Sequence, residues 1–298
     1  MGLHLSTHEL KMSARPEPSP AFSRLAVARQ RRANVLGIGI HAIDLPTAAS
    51  IIESAVAQGE KGYVCVTGVH GVMEAQRDPE VRGILNHAFL VTPDGMPTVW
   101  VGHAQGNTAM KRVFGPDLML ELCRRSVGTG IRHFLYGGDP GIADELAERL
   151  RRMFPGIAVV GTFTPPFRPL EPSEQFALEK QMNVARPDIV WVGLSCPKQE
   201  KFMAANFQRL PCKIMIGVGA AFNIHTGRVK DAPQWIKDAG MQWAHRLLQE
   251  PRRLWKRYLV NNSAFLVALS LQLTGLRRYP LPPNGTDIGQ QYRGAHHH

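Results

Sequence analysis

The sequence predicts an α/β fold, a Rossmann-like and mostly parallel sheet flanked by helices, with a basic helical appendage near its C-terminal end. Three observations carry that prediction. Apolar strand-like runs alternate with helix-like stretches through the middle of the chain. The run at residues 189–194 is apolar at successive positions, as a strand covered on both faces requires. It then breaks at Gly193 into Ser195, Pro197 and Glu200, residue types suited to the cap and first turn of a helix.

Taken in order, residues 35–40 read as the first strand, and Asp44-Leu-Pro46 opens a helix over 47–57. A strand at 63–67, a helical stretch at 72–86 and a strand at 88–92 follow. Periodicity gives a helix at 118–128, a strand at 131–136, a helix at 142–154 and a strand at 157–162. After a proline-rich break at 164–172 come a helix at 173–185, the strand at 189–194 with its helix, and a strand at 213–218. The expected organisation is a flexible N-terminal tail at 1–33, an α/β domain at 34–233, a basic amphipathic appendage at 234–278 and a flexible tail at 279–298. His296, His297 and His298 read as the remnant of a purification tag, not a metal site.

Composition narrows the partners. The chain has 298 residues, 44% of them hydrophobic, which suffices for one large domain or two small ones and excludes a disordered chain. A formal charge of +11 points to an anionic partner: nucleic acid, lipid headgroups or a phosphorylated small molecule. Cys65, Cys123, Cys196 and Cys212 have no metal-ligand or disulfide spacing, so they read as core thiols of a reducing compartment.

Several motifs bear on phosphate chemistry. Gly37-Ile-Gly-Ile-His-Ala42 has the letters of a dinucleotide fingerprint, but Asp44-Leu-Pro46 stands where its helix should already run. A Walker loop and any Asp-Xaa-Asp pair are absent, which removes the usual carboxylate seat for a metal bridging a diphosphate; no metal and no cofactor are expected. Tyr136-Gly-Gly-Asp-Pro-Gly141 follows a strand and precedes an amphipathic helix, so bare backbone at Gly137 and Gly138 can approach a phosphate; a tight turn capped by Asp139 is the alternative. Ile216-Gly-Val-Gly219 poses the same choice. Asp94 ends a buried-type strand in Thr92-Pro-Asp-Gly95, at the rim where open sheets bind ligands, and its carboxylate is placed to take a proton from a substrate hydroxyl. A plain Asp-Gly turn is the competing reading.

Thr67, Asp94-Gly95, Arg112-Val-Phe-Gly-Pro-Asp117, Tyr136-Gly-Gly-Asp139, Ser195-Cys-Pro-Lys-Gln-Glu200, Gly217-Val-Gly219, Thr226-Gly227 and Arg246-Leu-Leu-Gln-Glu-Pro-Arg252 occur in that order. The series resembles the WecG/TagA/CpsF glycosyltransferases of bacterial cell-surface polysaccharide and wall teichoic acid synthesis. The resemblance covers about residues 34–258. It implies metal-independent, inverting transfer of a sugar from a UDP donor to a polyprenyl-diphosphate-linked sugar at the cytoplasmic face of the membrane, by a protein often found as a homo-oligomer. Asp94 would be the general base, with Thr67 in the same pocket. Arg112 and Gln199 would orient substrate, and Gly137, Gly138, Ser195 and Lys198 would face the nucleotide. Arg246, Arg252 and Arg253 would reach the diphosphate. The chain departs from the family at Val69, where Asn is common, with His70 beside it; that bears on donor and acceptor identity.

From Gln234 onward, apolar residues such as Trp243, Leu247, Trp255 and Leu259 alternate with Arg246, Arg252, Arg253, Lys256 and Arg257, a pattern suited to an anionic bilayer surface. The run at 264–273 is too short to span a membrane. Two rival functions stand beside the transferase. A nicotinamide-dependent oxidoreductase would use the Gly37 fingerprint, and a non-catalytic membrane or RNA-binding protein would use the charge. No aromatic-and-basic RNA motif accompanies that charge, so nucleic acid is not an expected partner.

Overall fold

A computed structural model describes residues 22–282. The three terminal histidines and most of both expected tails lie outside them. The described chain begins with α1 (Phe22–Arg29), β1 (Arg32–Val35), β2 (Ile38–His41), α2 (Leu45–Ala57) and β3 (Gly62–Thr67). Next come α3 (Val69–Arg77), α4 (Pro79–His87), β4 (Leu90–Pro93), α5 (Met96–Ala104), α6 (Gly115–Ser126) and β5 (Arg132–Gly137). The second half holds α7 (Ile142–Met153), β6 (Ala158–Phe163), α8 (Pro172–Ala185), β7 (Ile189–Gly193), α9 (Lys198–Asn206) and β8 (Ile214–Gly217). Four helices close it: α10 (Ala221–His225), α11 (Gln234–Asp238), α12 (Gln242–Gln249) and α13 (Pro251–Leu273).

Six strands form one sheet in the order β4-β3-β8-β7-β5-β6, and every pairing in it is parallel. Parallel neighbours need crossover helices, and the sheet is accordingly apolar on both faces. On one face Ile52, Leu122, Leu146 and Leu150 from α2, α6 and α7 pack on Val64, Leu135, Trp191 and Ile216. On the other, Val72, Ile84, Leu178 and Met203 from α3, α4, α8 and α9 pack on Tyr63, Tyr136, Val190 and Met215. The fully buried Trp191 donates its indole N–H to His133 Nδ1 at 3.1 Å, and burial lowers that histidine to about 4, so the pair is neutral.

The structure revises four local expectations. Residues 35–40 are not one strand: Leu36 and Gly37 have φ of 52° and 82° and turn the chain between β1 and β2 in an antiparallel hairpin. The Gly37 fingerprint is thus a hairpin turn outside the main sheet and offers no dinucleotide seat. Ser195 is not a helix cap; α9 starts at Lys198, and Ser195 contributes its carbonyl, which accepts from Gln199 N–H at 3.2 Å. Both outer boundaries also move. The hairpin starts at Arg32, and Tyr279 is buried with its carbonyl accepting from Asn34 Nδ2 at 2.7 Å, so packed chain runs past residue 278.

The hairpin is tied to the domain through its ends. Val91 N–H donates to His41 Nδ1 at 3.0 Å, and Gln272 on α13 bonds Leu36 N and Asn34 O at 2.9 and 2.8 Å. The appendage is therefore anchored at the middle and at the C-terminal end of α13, since Asn261 also accepts from Arg77 on α3 at 2.6 Å.

One glycine limits the strand ends. Gly137 has φ of 122°, and a β-carbon there would stand 2.7 Å from the Gly193 carbonyl carbon on the adjacent strand. Gly137→Ala is expected to lose about 3 kcal/mol of unfolding free energy, a combined cost of strained backbone and collision, measurable by urea denaturation.

Candidate active site

Because the sheet is all parallel, the carboxyl ends of β3, β4, β5, β7 and β8 open on one edge. A cleft of about 1850 Å³ lies there, closed on its far side by α12 and α13. Asp94 sits in its wall, immediately after β4. The Asp94 N–H donates to the Thr67 carbonyl at 3.0 Å, which continues the β3–β4 pairing by one bond and fixes where the carboxylate leaves the sheet. Gly68 makes this approach possible, since a β-carbon on it would lie 2.6 Å from the Asp94 carbonyl oxygen. Gly95, at φ 87°, then turns the chain into α5.

The surroundings of Asp94 set its proton affinity. Desolvation dominates and raises the carboxyl to about 6; Arg112 and then Arg246 pull it back, and Asp117 opposes them. Arg112 is itself held, its guanidinium 4.6 Å from the Phe114 ring centroid and donating to Gln242 Oε1 at 2.6 Å. Its other nitrogen reaches Asp117 at 3.4 Å. Arg246 pairs with Glu250 at 3.4 Å, while its Nε is buried without a partner. Both cations line the cleft, and Lys237, paired with Asp231, lies 5.6 Å from the same Phe114 ring. A carboxyl with an affinity near 6 is ionised at neutral pH yet basic enough to accept a proton from a hydroxyl as that hydroxyl reacts.

On the β5, β7 and β8 side, Gly138 and Asp139 line the cleft with Ser195 and Lys198. Gly138 N–H is spent on the Gly193 carbonyl at 3.1 Å. Gln199 is 4% exposed at the cleft floor and both ends of its amide are engaged, Oε1 accepting from Gly219 N–H at 3.0 Å and Nε2 donating to Glu200 Oε1 at 2.9 Å. It therefore joins the β8 loop to α9.

The structure thus gathers Asp94, Arg112, Gly138, Ser195, Lys198, Gln199 and Arg246 around one cleft. Thr67 is placed differently. It is buried beneath the wall formed by Val66 and Gly68, with its methyl group against Gly71 and its hydroxyl unpartnered. Gly137 lies one residue behind the wall. Arg252 is exposed on the first turn of α13, outside the cleft lining; Arg253 shares that turn, and its side chain lies outside the described residues. Val69 and His70 line the cleft where α3 begins, and His70 Nδ1 accepts from Asn261 Nδ2 at 2.9 Å.

Sequence reasoning missed two features. Glu200 is 2% exposed, with burial raising its carboxyl against hydrogen bonds from Gln199 and Cys196, whereas the sequence marked it only as a residue of the first helical turn. Gln242, the partner of Arg112, had no signal in the sequence, because the contact spans 130 residues. Among the described residues no group of three His, Cys, Asp or Glu side chains is arranged to hold a metal ion.

Comparison with known proteins agrees with this geometry. Residues 33–279 match the model of the glycosyl transferase WecG/TagA/CpsF family, and the chain belongs to that family. Two relatives share the name N-acetylglucosaminyldiphosphoundecaprenol N-acetyl-beta-D-mannosaminyltransferase. The one from Bacillus spizizenii is 30% identical over 217 residues, 72% of this chain and 82% of its own. The one from Bacillus subtilis is 28% identical over 208 residues, 70% of this chain and 79% of its own.

The raised carboxyl has a consequence for stability. Asp94 goes from an ordinary value of 3.8 to about 6 on folding, so the folded state binds more protons than the unfolded state between those values. Stability therefore falls as pH rises through that window, and the cost is complete above it. Asp94→Asn is expected to be more stable than the parent by on the order of 2 kcal/mol at pH ~7.5, with the difference vanishing near pH ~4. Denaturant melts at the two pH values measure it.

Proposed function

We propose that this glycosyltransferase moves a hexosyl or N-acetylhexosaminyl group from a UDP-sugar to a polyprenyl-diphosphate-linked sugar, with inversion and without a metal ion, in bacterial surface polysaccharide synthesis. The observation that carries the reading is Asp94, desolvated in the cleft wall and balanced by Arg112 and Arg246. Its carboxylate takes the proton of an acceptor hydroxyl while that oxygen forms a bond to the anomeric carbon of the donor. The bond from that carbon to the UDP oxygen breaks on the opposite side, and the electron pair leaves with the diphosphate. One displacement of this kind inverts the anomeric centre.

The negative charge that develops on the leaving diphosphate needs fixed donors. Lys198, at the start of α9, lines the β5–β7–β8 side of the cleft and suits that task. Arg112, Arg246 and Lys237 line the Asp94 side and suit the second diphosphate, that of the acceptor. The names of the two Bacillus relatives, which specify a diphosphoundecaprenol-linked sugar, support that assignment. On this reading Lys198 on one side and Arg112, Arg246 and Lys237 on the other neutralise the two diphosphates.

A lipid-linked acceptor requires access to a bilayer. No described helix is long and apolar enough to cross a membrane. Trp235 and Leu248 are nonetheless well exposed on the appendage outside the cleft lining, as are Arg252 and Lys256. That combination supports peripheral binding to the anionic inner face of the cytoplasmic membrane.

In an assay containing EDTA, the parent is expected to keep its transfer rate, with an acidic limb near pH 6. Asp94→Asn is expected to lose roughly 10²–10⁴-fold in turnover while retaining UDP binding by calorimetry; near-normal transfer would remove the base assignment. In vesicle flotation, the parent is expected to float with anionic vesicles at low salt and less at high salt. An Arg252→Ala, Lys256→Ala double variant should sediment under both conditions.

A further inference from the structure

The helix α13 divides its surface three ways. Leu254, Asn261 and Phe265 are buried toward the domain, the latter two where the cleft meets it, and Gln272 is bonded to the hairpin. Val260 and Val267 are exposed outside the cleft. Trp255, Leu259, Asn262, Leu266, Leu269 and Leu273 recur at intervals of three and four, so they form one stripe, and all six line the cleft that contains Asp94. Three of them are far more exposed than a packing stripe allows: Leu259 at 63%, Leu266 at 62% and Leu273 at 61%.

A second apolar surface borders the same cleft. The loop between β6 and α8 contributes Pro165, Pro166, Phe167, Pro169 and Leu170 to its lining, and Phe167 is 84% exposed. A contiguous apolar surface of this kind on a soluble fold marks a ligand or an interface. Charge is graded along α13 in the same direction. Arg252, Arg253, Lys256 and Arg257 occupy its first two turns, whereas residues 258–276 carry no charged side chain. The stripe from Leu259 to Leu273 rises about 21 Å along the helix axis.

We propose that this apolar groove, lined by the α13 stripe and the proline-rich β6–α8 loop, binds the isoprenoid chain of the acceptor, and so recognises the lipid as well as the sugar. The inference rests on the acceptor assignment above. Its occupant is an amphiphile with a diphosphate at one end and a hydrocarbon chain at the other. On α13 the charge follows that order, and Arg112 and Arg246 lie near Asp94; Arg168 of the loop also lines the cleft, with its guanidinium paired to Glu174. A flat bilayer would meet the outward side of α13, at Val260 and Val267, and would leave a stripe facing into a cleft unmatched. A hydrocarbon chain lying in the cleft matches it.

The test uses acceptors that carry one sugar diphosphate on a methyl, geranyl or farnesyl chain, in solution without vesicles or detergent. In the parent, KM for the acceptor should fall roughly ten-fold or more from methyl to farnesyl, as a buried hydrocarbon chain requires. A Phe167→Ser, Leu266→Ser variant, altered at two exposed positions, should lose most of that gain while keeping kcat and donor KM. Transfer that is indifferent to chain length overturns the groove and leaves the transferase standing, and so does a chain-length effect that the variant retains. A chain-length effect seen only with anionic vesicles assigns the stripe to the bilayer and also overturns it. Calorimetric binding separates the two readings. Tighter binding of the farnesyl than of the methyl compound, lost in the variant but with no transfer, upholds the groove and removes the proposed reaction.

Discussion

Parallel pairing is the constraint on which the rest of the molecule depends. A sheet whose strands all run one way has every carboxyl end on one edge and both faces covered by crossover helices, so the loops that follow the strands gather along that edge. Thr67, Asp94, Gly137, Gly193 and Gly217 end five adjacent strands or follow them directly, and they are neighbours for that reason although the sequence separates them widely. The glycines at these ends serve contact as much as turning. A side chain at Gly68 would strike the Asp94 carbonyl, and one at Gly137 would strike Gly193. The edge is thus built of close backbone approaches, which hold the carboxylate and the phosphate-type turns in fixed relation.

Onto that edge the appendage brings positive charge. Asp94 is pushed up by loss of water and pulled down by Arg112 and Arg246, and the first effect is the larger. Arg246 is on α12, and Arg112 is oriented by Gln242 of the same helix. The helix thus enters the electrostatics of the Asp94 carboxyl directly and through Arg112. An appendage that closed only as a cover would exclude water and raise the carboxyl further. By carrying a guanidinium it keeps the carboxylate ionised at neutral pH while still drying the cleft.

The alternation of strands and helices was legible in the sequence because parallel strands buried on both faces are apolar at every position, and 189–194 showed this directly. Asp94 was legible from its place after such a strand. The hairpin at Arg32 to His41 was read as one strand because its turn is Leu36-Gly37; Leu at positive φ is rare, and Leu36 is held there by burial and by Gln272. Helix α5 was missed because Met96-Pro-Thr-Val-Trp-Val-Gly-His-Ala104 has little polar periodicity. The cleft position of Arg246 was implied by the family resemblance, whereas its effect on Asp94 depends on packing between parts of the chain 152 residues apart, which local pattern cannot encode.

The most recognisable run of letters in the chain turns out to divide its labour. In Pro197-Lys-Gln-Glu200, Lys198 is exposed to the cleft, whereas Gln199 and Glu200 are buried at its floor as α9 begins. Gln199 uses one lone pair of its carbonyl on Gly219 and one amide hydrogen on Glu200, which leaves one of each for other partners. Through the first bond it also holds the β8 loop. Glu200 is the far end of this clamp. Its Oε2 is buried without a partner and burial favours the protonated carboxyl, a form that costs less in a dry interior than the ion would. Through Gln199, Glu200 braces the loop that borders a cleft whose proposed ligands are diphosphates.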